Sequence, residues 1–175
     1  MIRKAVAQDL PAIERVMRAS MASLGQGFYD EHQLASALRY ISVPDRGLVE
    51  DGTYFVIEED GTIVACGGWS RRKKLYSGPS SEDAAQGWLD PSTDAARVRA
   101  MFVDPAYARR GLGRQILEAS EADALRAGFT RFELMATLPG VPLYEVCGYE
   151  AVEDVMVELP DGVRLPCVRM VRVPN

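Results

Sequence analysis

The chain has 175 residues, the length of one domain at the usual ~100–200 residues per domain. Apolar residues make up 47% and charged residues 26%, which excludes a disordered, collagen-like or low-complexity chain. Twenty Lys and Arg against twenty-five Asp and Glu leave a formal charge of −5, so neither nucleic acid nor an anionic membrane surface is expected as a general partner.

Short segments alternate between strand and helix periodicity. Residues 3–6 read as a first strand. Asp9 is then expected to cap a helix with Pro11 in its first turn, its apolar stripe running through Leu10, Ile13, Val16, Met17, Met21 and Leu24. Gly25 and Gly27 break the pattern. Asp30 with Gln33 then forms a capping box for a second helix, which Pro44 and Gly47 are expected to end. Residues 53–59 and 62–69 are β-rich and joined by Asp60-Gly61, a strong hairpin signal. The polar stretch 70–96, with Gly78-Pro79 and Asp90-Pro91, is too long for an ordinary connection and reads as a functional loop or insertion. Residues 97–103 resume as a strand, and a helix follows over about 113–127, stopped by Gly128. Residues 131–137 are a further strand and 142–147 a short helix stopped by Gly148. Residues 151–159 and 163–173 flank Asp161-Gly162 as a C-terminal hairpin. This order predicts a single α/β domain over residues 1–175, a mixed, mostly antiparallel sheet flanked by helices.

No apolar run approaches the ~20 residues that span a bilayer, and the first six residues lack the apolar centre of a signal peptide. Cys66, Cys147 and Cys167 are odd in number and widely spaced, which argues against a disulfide framework or a zinc site and for a reducing cytoplasm. One histidine, His32, supplies no multi-His metal centre, and no metal is expected.

The informative segment runs from Met101 to Leu117. A hydrophobic strand ends at Asp104-Pro105, and a turn carrying Gly111 and Gly113 opens a helix. Positions without Cβ let main-chain N–H groups wrap an anion, and the helix N-terminus adds roughly 0.3–1 kcal/mol per neighbouring anion. Arg109, Arg110 and Arg114 put three positive charges there, with no acid between Pro105 and Leu117. A phosphate or pyrophosphate is the natural ligand. A P-loop would need a Lys-Ser/Thr pair that is absent, and a dinucleotide fingerprint a third glycine where Gln115-Ile116 stand.

Ala108-Arg109-Arg110-Gly111-Leu112-Gly113 resembles the acetyl-CoA-binding motif of the GNAT superfamily of N-acetyltransferases, Q/R-x-x-G-x-G/A after a strand, with Ala108 in place of the leading Gln or Arg. Tyr144-Glu145-Val146-Cys147-Gly148-Tyr149 is similar to the family's Tyr-x-x-x-Gly-Phe/Tyr segment. The resemblance covers about residues 97–149 and implies a GNAT-like fold, acetyl-CoA as co-substrate and a small-molecule or peptide amine as acceptor.

It further implies that the main chain of Met101, Phe102 and Val103 pairs with the pantetheine arm, the Met101 N–H facing the thioester carbonyl. The diphosphate would lie on Arg109, Arg110, Gly111, Leu112, Gly113 and Arg114. Thr137 stands where many relatives carry a cofactor-contacting Asn. Tyr144 aligns with the tyrosine that protonates the leaving sulfur. The strand before the turn offers Arg97 and Arg99 where some relatives carry a basic Glu; Glu133, Asp30, Glu31 and His32 are the candidate bases. Trp88 is expected to cover the acceptor site, and Cys147, without a histidine beside it, reads as a small hydrophobe. A CoA-binding module without catalysis, transfer to a hydroxyl, and another acyl-CoA stay open, as does a homodimer through the C-terminal hairpin.

Overall fold

The computed structural model describes residues 1–73 and 87–175. Seven strands form one sheet in the order β1-β2-β3-β4-β5-β7-β6. They are β1 (Ile2–Lys4), β2 (Tyr54–Glu59), β3 (Thr62–Ser70), β4 (Ala96–Val103), β5 (Phe132–Thr137), β6 (Glu150–Glu158) and β7 (Arg164–Arg172). Every neighbouring pair is antiparallel except β4–β5. Helices α1 (Leu10–Leu24) and α2 (Glu31–Tyr40) cover one face, and α4 (Leu112–Arg126) covers the other. This is the mixed, helix-flanked single domain expected.

The packing follows the period-2 alternation along the strands. Phe132, Leu134 and Ala136 of β5 join Ile116 and Leu117 of α4 in one core. Met135, from the other face of the same strand, packs with Met21, Ala37, Leu165 and Cys167. Asp60 and Gly61 both have positive φ (49° and 76°), so the β2–β3 turn takes the expected hairpin form.

Three local expectations are corrected. The Asp9 side chain does not cap α1: its carboxylate accepts from the Val6 N–H (2.8 Å) and takes both terminal nitrogens of Arg3, and the helix begins at Leu10 with Pro11 in its first turn. The chain after Pro44 turns into a further helix, α3 (Arg46–Glu50), because Asp45 accepts from the Gly47 N–H at 2.9 Å. Helix α4 begins one residue early, at Leu112. The capping box is present in both directions, Gln33 N–H to Asp30 at 2.8 Å and Asp30 N–H to Gln33 at 3.0 Å. Residues 74–86 of the expected long loop, including Gly78-Pro79, lie outside the described residues.

Candidate active site: a cleft through the sheet

The parallel pair β4–β5 is joined only at Ala96↔Phe132 and Arg97↔Glu133. Beyond those two rungs the strands diverge, so β4 from Val98 onward has no partner on that edge. β5 keeps its other edge paired with β7 along its whole length. The β3 side adds a second irregularity. Cys66 pairs with Phe102 and Gly68 with Arg99, so Gly67 faces two residues, Ala100 and Met101. This bulge puts Ala100 at φ 56°, and the Tyr54 hydroxyl donates to its carbonyl at 2.6 Å, pinning the strain. Met101 therefore belongs to neither ladder, and it lines the opening.

A cavity of ≈ 70 Å³ occupies the gap. Val98, Met101, Leu134 and Tyr144 line its α4 side; Phe102, Met135 and Cys167 line the α1/α2 side. The cavity is therefore lined from both faces of the sheet, with Met101 on its wall.

The glycine turn lies at the C-terminal end of β4. Gly111 has φ +79°, which glycine adopts without strain, and a Cβ built there meets nothing within 4 Å. The space beside the turn is open. A Cβ on Gly113 would come within 2.8 Å of Leu143 Cδ2, so glycine at this position lets α4 approach α5 (Val141–Val146). Arg109, Arg110 and Arg114 are exposed; Arg110 meets Glu59 at 3.2 Å and Arg114 meets Glu118 at 3.2 Å. Such surface pairs are weak and exchangeable, so all three guanidiniums can turn to an anion at little cost.

Tyr144 comes from α5, with its ring against Gly140 and edge-on to Tyr149 at 5.9 Å. Burial pushes its phenol well above the ordinary value, so it stays protonated at neutral pH. No hydrogen bond to its hydroxyl is formed among the described residues. Thr137 ends β5 on the cavity wall. Cys147 follows α5, half-buried against the α4-side core, with its thiol pushed up by burial, as suits a small hydrophobe.

The acid-base candidates fall elsewhere. Asp30, Glu31 and His32 are exposed around the start of α2, and Asp30 is engaged in its cap. Glu133 stands at the closed end of the cleft: one carboxylate oxygen is paired with Arg97 and the other with Arg169 at 2.9 Å. None of the four lines the cavity. Trp88 is not there either; it stacks on Arg72, 4.6 Å from ring to guanidinium, and Arg72 is held by Asp51. Nothing in the sequence singles out the α1/α2-side lining of Ile41, Met135, Val157, Leu165 and Cys167. Only the divergence of β4 and β5 exposes them.

A profile of the acetyltransferase (GNAT) family matches residues 15–149. The chain belongs to the GNAT acetyltransferase family. The fold agrees. A GCN5-related N-acetyltransferase of Rhodopseudomonas palustris superposes with a TM-score of 0.74 at 17% identity, over 99% of this chain and 95% of that one. The PaiA N-acetyltransferase of Thermoplasma acidophilum, solved with coenzyme A, gives 0.68 at 15% identity over 99% and 98%. The ribosomal-protein-S18-alanine N-acetyltransferase of Escherichia coli gives 0.58 at 20% identity over 99% and 92%. No curated protein matches the sequence. Among the described residues of this GNAT chain, no helix is long and apolar enough to cross a membrane.

Proposed function

We propose that this GNAT chain transfers the acetyl group of acetyl-CoA to a primary amine, with both substrates held together across the β4–β5 cleft. The observation that carries the reading is the unpaired edge of β4 beyond Arg97, running up to an open glycine turn. Acetyl-CoA supplies an acetyl group activated as a thioester. The residues present fit it: the main chain of Met101, Phe102 and Val103 would pair with the extended arm. The amides from Arg109 to Gly113, with the Arg109, Arg110 and Arg114 side chains, would hold the diphosphate, and Thr137 would add a side-chain hydrogen bond. The Met101 N–H would stabilise charge that develops on the carbonyl oxygen.

Tyr144 would give its proton to the departing sulfur. Burial raises the phenol, but it acts equally against a thiolate in the same cavity, so the proton transfer is not made harder by it. Glu133 is assigned no proton transfer, because both its oxygens are committed to arginines. The amine would reach the cleft already neutral, its proton lost to water. Three free cysteines, two of them buried, support a reducing compartment such as the cytoplasm.

Isothermal titration with acetyl-CoA and thiol release over an amine panel test the reading. Binding with steady thiol release is expected. No binding at high micromolar acetyl-CoA would end it, and binding without turnover on any amine would leave a CoA-binding module instead.

A further inference from the structure

On the α1/α2 side the cavity wall is built from Ile41, Phe102, Met135, Val157, Leu165 and Cys167. Among the described residues, no Asp or Glu lines the cavity. Arg99 is the one charged side chain among the described lining residues, and it is paired with Asp45. Asp45 and Glu133 adjoin the lining, yet each is held by guanidiniums, Asp45 by Arg99 and Glu133 by Arg97 and Arg169. Cys167 adds no negative charge, since burial pushes its thiol up to about 12. An acceptor carrying a second ammonium would bring that charge into an apolar wall, with no carboxylate among the described lining residues to receive it. Burying an unpaired charge is among the costliest events in a protein.

The size agrees. At about 10–15 Å³ per water-sized sphere, the ≈ 70 Å³ of the whole cavity holds about five to seven such spheres shared between its two sides, so the α1/α2 half takes only a short chain.

We infer that the α1/α2 half of the cleft receives the apolar body of a small primary monoamine and discriminates against polyamines. This rests on the acetyl-transfer reading above and adds the acceptor class to it. A neutral monoamine buries only carbon in the wall and presents its lone pair toward Met101. The transfer then forms the new C–N bond, breaks the C–S bond, sends the amine proton to water and the Tyr144 proton to the sulfur, and water returns a proton to Tyr144.

The test compares pentylamine with 1,5-diaminopentane, which differ by a methyl group against an ammonium at the far end. Two readouts serve: thiol release with acetyl-CoA, and calorimetric binding of each amine to protein saturated with CoA. Pentylamine is expected to be favoured in kcat/KM by about 100-fold or more, and to be the tighter binder. Met135→Glu, which puts a carboxylate on the half-buried wall, is expected to shift that ratio toward the diamine by about tenfold or more. Equal or better use of the diamine by the native protein would overturn the inference while leaving acetyl transfer intact. So would failure of pentylamine both to bind and to react on protein that binds CoA. Failure to bind acetyl-CoA would instead remove the underlying reading.

Discussion

Gly111→Asp places a carboxylate beside the turn proposed to hold the diphosphate. The added side chain costs the fold little: the site is open for 4 Å around the new Cβ, and Asp tolerates the left-handed backbone at a cost of about 1 kcal/mol. The effect should fall on the ligand. Two phosphate charges about 5 Å from the new carboxylate repel it by about 1.7 kcal/mol at the dielectric of water, and by about 6.6 kcal/mol at an effective value near 20. The lower figure suits this exposed turn and gives binding weaker by roughly 15-fold. Gly111→Asn is the control, with the same shape and backbone demand and no charge. Calorimetry with CoA should find the Asn variant within about threefold of native and the Asp variant at least roughly 15-fold weaker, with Tm alike in the two. The gap should shrink in about 1 M salt, where the Debye length falls to about 3 Å. Equal affinities for the two variants would refute a diphosphate at this turn.

Tyr144→Phe should lower kcat by about 100-fold with CoA affinity unchanged, and Tm should hold, since no hydrogen bond to the hydroxyl is formed among the described residues. Because no carboxylate or imidazole is among the described residues that line the cavity, kcat/KM should rise about tenfold per pH unit up to the amine's own pKa near ~10, and a plateau around neutrality would reveal a base on the protein. Glu133→Gln should destabilise by about 2–3 kcal/mol in denaturant titration, because Arg97 and Arg169 lose their shared anion, yet leave kcat/KM and its pH slope unaltered in the folded protein; a fall in kcat/KM of about 100-fold or more would restore Glu133 as the base. Asp9 is held below the ordinary carboxylate value, first by Arg3 and also by the Val6 N–H. Its folded value lies under its unfolded one, so its stabilisation is complete above the unfolded pKa near ~4 and fades as pH falls through the folded one. Asp9→Asn should therefore cost about 1–2 kcal/mol at pH 7, and the difference should narrow in urea titrations below about pH 4.

What could be read from the sequence was what local chemistry dictates. Asp30-Gln33, Asp60-Gly61 and the strand–glycine–helix sequence at Val103 to Gly113 each have one sterically sensible outcome, and each has it. Asp9 fooled the reading because a carboxylate at a helix start has two partners in reach, and the distant Arg3 wins over the helix N–H groups. α3 was hidden because Pro44 and Gly47 look like stops, and only the Asp45 cap makes them a start. The cleft wall is a tertiary property: Met135 and Leu165 differ in no local way from residues that face a closed core. They line a cavity because β4 and β5 part after two rungs, and no side chain announces that parting.

The most direct measurement is a crystal structure of the protein with coenzyme A. The account predicts the pantetheine arm hydrogen-bonded along the β4 edge beside Met101, Phe102 and Val103, with the diphosphate on the amides of residues 109–113. Coenzyme A bound elsewhere, or β5 closed onto β4 along that edge, would contradict it.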